Sequence, residues 1–325
     1  MSTGSGRLPA FLVTAPPAVA LEIASDRVTA AAVSGTGAGL TLAAHAIEPL
    51  PAGAVVPALN ATNIHDAASV TAAVRSVLAR LGVRARRVAL VVPDMAAKVS
   101  LLRFEKIPPR AQDLEQLIKW QVRKAAPFKP EESQMCWLDG ATLEGGAREF
   151  IVLLARADVI RSYEAAVEAA GVQPGIVDLA SFDLINAALA TGAPAGDWLL
   201  VHVAAEYATL TIVRGRDVIF FRTRPREADG DLAELVHQTA MYYEDRLGGA
   251  GFGRVVLAGA AGHGSDGGER ARRNLEERLG TRVESLDFRQ AAGLRDRIAA
   301  GPDLLDALAP AVGVLLRDRA AERVA

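Results

Sequence analysis

The side chains that could do chemistry are few in this chain and lie far apart in sequence. The single cysteine, Cys136, could act as a nucleophile, but it lies in the apolar run 135–137, which favours a buried core thiol. His65 and Asp94 fall in predicted loops. The chain has neither a Ser-His-Asp order nor a metal-ligand spacing, so the sequence predicts no hydrolase and no metal centre.

The most informative polar residues lie near the ends of two apolar strands that form a repeat. Residues 20–35 (ALEIASDRVTAAAVSG) align without a gap with residues 200–215 (LVHVAAEYATLTIVRG), and each unit is followed by a third strand. Glu22 in the first unit and His202 in the second hold the same place. A three-strand meander that occurs once per half predicts a duplicated α/β fold. Chance similarity between two hairpins is the alternative interpretation.

The elements between the repeats follow from the spacing of apolar residues and from turn signals. Predicted helices lie at 67–81, 113–126, 158–171, 182–189, 232–247, 275–279 and 307–317. Predicted strands lie at 88–92, 135–138, 149–155, 175–178, 254–258 and 282–285. Asp158 is the predicted N-cap of its helix, and 262–268 is predicted to be a flexible polar loop.

The composition is that of a globular protein with room for two domains. The chain has 325 residues, of which 50% are hydrophobic and 23% charged, with a formal net charge of −2. This charge gives no electrostatic case for binding nucleic acid or a bulk membrane surface. No apolar run reaches the roughly 18 residues of a membrane-spanning helix. Residues 1–17 are predicted to be a disordered leader, since Pro16 and Pro17 interrupt a faint signal-peptide pattern.

Several segments together resemble one protein family. The most telling is the helix LEQLIKWQ at 114–121, followed by Ala-Pro-Phe at 126–128. Segments 150–171, 177–182 and 308–313 are similar to the family in order and spacing. Over about residues 18–318 the chain resembles the PilM family of type IV pilus assembly proteins, which are actin-like and related to the cell-division protein FtsA.

The resemblance implies an α/β fold of two actin-like, ribonuclease-H-like lobes with an FtsA-style inserted α/β subdomain. The implied divisions are the leader 1–17, a first lobe of 18–97 and 173–192, an inserted subdomain 98–172, a second lobe 193–306, and a closing helix 307–325 that packs back on the core. The second lobe should be reduced, because the family has more chain between the third strand and the following helix.

The resemblance also implies a nucleotide site, which this sequence matches poorly. In the family, both hairpin turns carry Asp-Ile-Gly and wrap the phosphates of ATP, with Mg²⁺ near the aspartates. Here the two motifs read Glu-Ile-Ala and His-Val-Ala. The site positions are Glu22, Ala24, Ser25, Arg27, His202, Ala204, Thr209 and Gly259. We therefore expect a degenerate site with no cofactor, and a bound ATP with Mg²⁺ is the less favoured alternative.

The implied partner is the cytoplasmic tail of a PilN-like bitopic membrane protein, held in a groove between the first lobe and the inserted subdomain. Such a chain would be cytoplasmic and would lie at the inner membrane through that partner. Candidate groove residues are Leu102, Phe104, Trp120 and Phe128, for which plain core packing is the alternative. Alternative functions are a slow actin-superfamily ATPase, the cytoplasmic domain of a GspL-type type II secretion protein, and, more weakly, an acyl- or sugar-kinase relative.

Overall fold

The computed structural model describes residues 17–35, 39–124, 126, 128–192, 196–226, 232–260, 265–294 and 300–322. The predicted leader lies outside these ranges except for its last residue. The strands are β1 (Val19–Ile23), β2 (Arg27–Ser34), β3 (Thr41–Pro49), β4 (Arg87–Val92), β5 (Ala97–Phe104), β6 (Ser133–Thr142), β7 (Arg148–Arg156), β8 (Gln173–Leu179), β9 (Asp197–Val203), β10 (Tyr207–Arg214), β11 (Asp217–Pro225), β12 (Arg254–Ala258), β13 (Val283–Ser285) and β14 (Gly293–Leu294). The helices are α1 (Ala67–Leu81), α2 (Ala111–Arg123), α3 (Ala157–Ala169), α4 (Ala180–Ala190), α5 (Leu232–Leu247), α6 (Ser265–Leu279) and α7 (Pro302–Glu322).

Two large sheets share one topology. The first has the order β14-β3-β2-β1-β4-β8, and the second has the order β11-β10-β9-β12-β13. In each lobe the first three strands form an antiparallel meander, and the next two strands join in parallel beside the first strand. Apart from β14, both sheets thus have the order third, second, first, fourth, fifth. The predicted duplicated α/β fold is confirmed.

The repeat extends to the pairing register of the strands. Glu22 and His202 hold equivalent places, and each pairs with a threonine of the following strand. The pairing of the second and third strands shifts after Ala32 in the first lobe and after Ile212 in the second. These two positions are equivalent in the aligned repeat. Since a bulge is a specific local feature of a strand pair, its recurrence argues against chance similarity between the hairpins.

Helices α4 and α7 pack against each other and form the centre of the molecule. The largest apolar cluster joins them to both sheets and includes Leu21 of β1 together with Trp198 and Leu200 of β9. The two helices approach closely because a glycine stands at the contact. A Cβ atom built on Gly313 of α7 would lie 2.0 Å from the carbonyl oxygen of Asp183 in α4. Any larger residue at 313 would force the two helices apart.

The chain returns to the first lobe before the boundary predicted at 306. Leu286 and Phe288 already belong to the main apolar cluster, and β14 pairs in parallel with β3. The closing helix begins at Pro302, earlier than the predicted 307, and it contacts β1, β2 and β4. Across the described ranges, none of the helices, including this longest one, is both long and apolar enough to cross a bilayer.

Other helices, among them α3 and α6, also begin earlier than predicted. Helix α3 begins at Ala157 and is preceded by Arg156, so Asp158 lies in the first turn and is not the N-cap. Its carboxylate instead pairs with the Arg156 guanidinium at 2.5 Å, near the positive end of the helix dipole. Helix α6 begins at Ser265, so the predicted loop at 262–268 is helical in its described part. Ion pairs of Arg272 with acidic residues three and four positions away support this helix.

The inserted subdomain is an antiparallel sheet of order β5-β7-β6 with α2 on one face. Alternate residues of β7 face opposite sides, as strand geometry requires. Phe150 and Leu154 pack with α2 in a small separate core, whereas Ile151 and Leu153 pack on the main cluster. Because β7 lies in the middle of the order, β5 and β6 are the two edges of this sheet.

Cys136 is exposed, so its prediction as a buried core thiol is wrong. The residue pairs with Leu153 of β7, but β6 has no strand on its other side. The apolar neighbours of Cys136 in sequence therefore did not indicate burial, because an edge strand is covered less than a central one.

Candidate functional site

The two hairpin turns face each other across a cleft between the lobes. This cleft encloses only about 60 Å³, which is little more than the volume of two water molecules. Small-molecule pockets usually span about 300–1,000 Å³. Seven of the eight predicted nucleotide-site positions line this cleft, namely Glu22, Ala24, Ser25, Arg27, His202, Ala204 and Gly259. These positions, which are far apart in sequence, thus lie together, and the structure leaves almost no space between them.

The backbone N–H groups of the two turns are already used within the chain. The amide of Ala24 donates to the carbonyl oxygen of Arg27 at 3.0 Å, and the amide of Ala204 donates to that of Tyr207 at 2.9 Å. These are the positions at which the resemblance led us to expect phosphate-wrapping glycines. An amide that is bonded internally would have to give up that bond before it could donate to a phosphate oxygen.

Gly259 is fixed by close packing between strands of the second lobe. Its φ is +81°, and a Cβ atom there would lie 2.2 Å from the carbonyl oxygen of Val203. Its amide donates to Oδ1 of Asp306 at 2.7 Å. The glycine is therefore needed for the approach of two backbones and a positive φ, without any ligand.

The first hairpin keeps a charged pair beside the cleft. Glu22 is buried, and its Oε2 atom has no hydrogen-bond partner; the Nε atom of Arg27 is also buried without one. Burial raises the pKa of Glu22, and the nearby charges of Arg27 and His202 oppose that rise. The guanidinium of Arg27 pairs with Asp26 at 3.1 Å at the turn. Glu22 Oε2 and Arg27 Nε are thus polar atoms beside the cleft that lack a hydrogen-bond partner among the described residues.

A fully buried carboxylate ties the two lobes together directly below the cleft. Asp94 follows β4, and its Oδ1 accepts from the amide of Ser181 at 2.9 Å. Its Oδ2 accepts from Ser181 Oγ at 2.5 Å and from Thr209 Oγ1 at 2.8 Å, and it lies 3.1 Å from His202 Nδ1. The amide of Asp94 donates to the hydroxyl of Tyr207 at 3.0 Å. The Asp94 network therefore joins β4 and α4 to β9 and β10.

The Asp94 network corrects two sequence interpretations. Asp94 is not a loop residue without a role, since it is the centre of the interlobe contact. Thr209 does not line the cleft; it is buried beneath it. Burial opposes ionisation of Asp94, but the hydrogen bond and charge of His202 and the bonds from Ser181 outweigh it and lower the pKa. One signal in the sequence could have indicated this role. Asp94 is a charged residue that comes just after the buried strand β4, where the strand ends towards the second lobe.

The cluster of Asp94, Ser181 and His202 is not arranged for nucleophilic catalysis. Ser181 Oγ donates to the carboxylate itself, so no separate base is positioned to take its proton. Ser181 and Asp94 have no exposed surface, and neither lines the cleft. In the described part of the chain no group of three His, Cys, Asp or Glu residues could hold a metal ion.

A second, larger cavity lies between the first lobe and the inserted subdomain. This interdomain groove has a volume of about 490 Å³. Its walls are mainly apolar and include Met135 and Leu153 from the inserted sheet, with Val92 and Val177 from the first lobe. The exposed Cys136 lies on one wall. Both flanking strands, β6 and β8, are sheet edges, so each has a row of backbone groups that pairs with no strand.

One carboxylate, that of Asp178 on β8, lines the interdomain groove. Burial raises its pKa to about 6, despite the amide hydrogen bond from Leu179 at 2.8 Å and the charge of Arg317. Asp94 contributes a small further rise. Burial and the charge of Asp178 also raise the pKa of the Cys136 thiol. Sequence reasoning did not single out Asp178 as a site residue, because its Val-Asp-Leu context indicates only a strand.

The four predicted groove residues lie elsewhere. Leu102, Phe104 and Phe128 pack on the small core between the inserted sheet and α2, with the Phe104 and Phe150 ring centroids 5.8 Å apart. None of the four lines the interdomain groove. Strand alternation explains the difference, because Leu102 and Phe104 share the face of Phe150, which is opposite to that of Leu153.

Trp120, the fourth predicted groove residue, is 57% exposed on the outer surface of α2. Lys124 lies over its ring at 3.6 Å from the centroid. Together with Met135 and Trp137, Trp120 lines a separate open depression of about 740 Å³. The alternative of plain core packing therefore does not describe Trp120.

Comparison with known proteins gives a family match and a likeness to solved structures. The family described as "Type IV pilus assembly protein PilM" matches residues 20–244. No curated protein matches the chain. A solved structure of a PilM-PilN type IV pilus biogenesis complex superposes with a TM-score of 0.77 at 19% identity, covering 96% of this chain and 100% of that one. This likeness shows a shared fold and, with the duplicated lobes, confirms the predicted actin-like fold class.

Two other solved structures are more distant. The cytoplasmic domain of EpsL, an inner-membrane component of the type II secretion system of Vibrio cholerae, has a TM-score of 0.49 at 10% identity and covers 94% of each chain. A Bacteroides thetaiotaomicron protein with an actin-like ATPase fold has a TM-score of 0.48 at 10% identity, covering 88% of this chain and 96% of that one.

Proposed function

The chain belongs to the PilM family of type IV pilus assembly proteins, and we propose that it is an actin-like scaffold that binds the cytoplasmic tail of a PilN-like membrane protein. In this proposal the chain lies on the cytoplasmic face of the inner membrane through that partner. It holds the tail in the interdomain groove and does not turn over ATP.

The observation that carries the proposal is the interdomain groove. It has room for several side chains, is mainly apolar, and lies between two edge strands. An extended segment can add to such an edge through backbone hydrogen bonds while its alternate side chains fill an apolar cavity. The solved PilM-PilN complex of the same fold supports a PilN-like tail as the occupant.

The interlobe cleft supports the non-enzymatic part of the proposal. The space of about 60 Å³ between the turns is far below that of a usual small-molecule pocket, the turn amides are bonded internally, and Asp94 makes the lobe-to-lobe contact itself. An actin-like ATPase needs an open cleft whose amides point at phosphate oxygens. The side chains of this chain hold the lobes together without a ligand.

The proposal is tested by protection of Cys136, the only cysteine of the chain. A synthetic peptide of the first 20 residues of the PilN-like protein from the same organism should slow the reaction of Cys136 with a maleimide at least tenfold at saturation. The thiol lines the groove and is exposed in the free protein. Unchanged labelling by a folded protein at millimolar peptide would contradict the proposal.

A matched pair of variants locates the binding site. Cys136→Trp should fill the groove and weaken peptide binding at least tenfold. Leu138→Trp is the control, because Leu138 lies two residues along the same edge strand, is 52% exposed and does not line the groove. Equal binding by both variants would place the peptide elsewhere.

Residual nucleotide binding is the second candidate function, and a specific observation favours it. Glu22 Oε2 and Arg27 Nε remain buried and unpaired at the edge of the cleft, where a magnesium-bound phosphate could satisfy both. We predict that ATP with Mg²⁺ leaves the melting temperature unchanged within about 1 °C. A ligand at 100 times its Kd would stabilise the native state by about 2.7 kcal/mol and raise the melting temperature by several degrees. A rise of that size that requires Mg²⁺ would establish a live site.

A further inference from the structure

We propose that Asp178 determines which segment the interdomain groove accepts, by pairing with an arginine or lysine side chain of the bound tail. The inference rests on the proposed function and adds the chemistry by which the tail is recognised. It predicts a short extended segment whose apolar side chains fill the groove and whose one basic side chain reaches the carboxylate.

The carboxylate of Asp178 has no cationic partner within the described part of the chain. Oδ1 accepts the amide of the next residue, Leu179, at 2.8 Å, and this is its one hydrogen bond there. No Lys, Arg or His nitrogen of the described residues lies within 4.0 Å of it. Arg317 acts on Asp178 only from a greater distance, and it acts on Asp183 as well. One oxygen of Asp178 is therefore left for a ligand.

The surroundings of the carboxylate make such a pairing strong. Ile160, Val177 and Leu153 line the same cavity, so a bound segment would exclude water from around Asp178. Charges attract more strongly in such a site, and a charge-assisted hydrogen bond is about twice as strong as a neutral one. Burial already disfavours the ionised form of Asp178. A cation brought by the ligand would remove that penalty, which links occupancy of the groove to the presence of a basic side chain.

The flanking edge strands define the register of the segment. Side chains alternate along an extended chain, so residues two apart point into the same groove. A basic residue opposite Asp178 therefore places its neighbours at plus or minus two positions against the apolar walls formed by Met135 and Leu153. Cytoplasmic segments next to membrane helices are enriched in Lys and Arg, which agrees in sign with this carboxylate.

The test is a double-mutant cycle measured by fluorescence anisotropy with the full chain. The probe is the labelled 20-residue N-terminal peptide of the PilN-like protein. A set of variant peptides replaces one Arg by citrulline or one Lys by norleucine at a time. The protein variants are Asp178→Asn and the control Asp139→Asn. Asp139 lies on the same inserted sheet, is exposed and does not line the groove.

We expect Asp178→Asn to weaken binding of the natural peptide at least tenfold, with Asp139→Asn unchanged within twofold. One of the neutralised peptides should bind the wild-type chain at least tenfold more weakly than the natural peptide does. The same peptide should bind Asp178→Asn no more weakly than the natural peptide binds that variant. If the natural peptide binds the wild-type chain but Asp178→Asn binds equally well, the inference is overturned and the proposed function stands. The inference is also overturned if the loss of affinity caused by Asp178→Asn simply adds to the loss caused by each neutralised peptide residue, because no pair would then be coupled. No binding to the folded wild-type chain overturns the proposed function and the inference together.

Discussion

At the scale of single residues, the interlobe cleft and the interdomain groove differ in which of their polar groups lack a partner. In the interlobe cleft, the amides of Ala24, Ala204 and Gly259 all have partners within the chain. In the interdomain groove, one carboxylate oxygen of Asp178 has no partner among the residues that the structure describes. Unsatisfied groups that are costly to bury mark the places where a ligand can contribute binding free energy. Both places keep such groups, Glu22 and Arg27 beside the cleft and Asp178 in the groove, but only the groove has room for a segment of chain.

The raised pKa of Asp178 predicts a measurable destabilisation of the free protein. An unfolded Asp178 releases its proton near pH 3.8, whereas the native carboxyl holds it to about pH 6. The free energy of unfolding therefore falls as pH rises from 4 to 6 and stays reduced above that window. Asp178→Asn avoids this cost. We expect it to raise the free energy of unfolding by about 1–3 kcal/mol at pH 7.5 and to have no effect near pH 3.5.

Urea denaturation of the free protein at both pH values measures this effect, with Asp139→Asn as the control for loss of one negative charge. A variant that is less stable than wild type at pH 7.5 would mean that Asp178 has a structural role. The combination we expect, a more stable protein that binds the tail more weakly, is typical of a residue kept for function.

At the scale of secondary-structure elements, the Asp94 network is what fixes the two lobes. It links the end of β4 and the start of α4 to β9 and β10 through one carboxylate. Elements of the two lobes thereby meet without a bridging ligand. Hydrogen bonds of this kind are worth little when exposed and much more when every partner is buried.

We predict that Asp94→Ala lowers the free energy of unfolding by about 3–5 kcal/mol, because it leaves the buried hydroxyls of Ser181 and Thr209 and the imidazole of His202 without their acceptor. The pKa of Asp94 is lowered in the native state, so its contribution is present above about pH 4 and is lost as pH falls below that value. The difference between wild type and variant should therefore shrink in acid. Urea denaturation between pH 3 and 8 measures this, and a loss below 1 kcal/mol at pH 7 would contradict the role assigned to Asp94.

Elements with strong local patterns could be predicted from the sequence, and contacts between distant segments could not. The repeated hairpins are readable because their apolar strands and turns lie within 16 residues each. Asp94 and His202 are 108 residues apart, and no local pattern links them. The side of the inserted sheet to which Leu102 and Phe104 belong could not be predicted for a related reason. Leu102 and Leu153 both belong to apolar strands, and only the position of α2 decides which face of the sheet is turned towards the first lobe.

At the scale of the whole molecule, the interlobe cleft and the interdomain groove are in opposite states. The cleft between the lobes, where an actin-like ATPase would hold its nucleotide, is nearly closed and internally bonded. The groove beside the inserted subdomain is open, apolar and bordered by two sheet edges. Retention of both lobes without an open cleft agrees with a docking platform in which the fold itself positions the groove.

The most direct test is isothermal titration calorimetry of the 20-residue PilN-like peptide into the full chain, with and without 2 mM ATP and Mg²⁺. We predict one binding event per chain in the micromolar range or tighter, with a Kd that is the same within twofold in both buffers. Absence of binding by a folded chain would contradict the scaffold. A Kd that changes several-fold with Mg²⁺-ATP would show that the cleft binds nucleotide and is coupled to the groove, which contradicts the closed cleft.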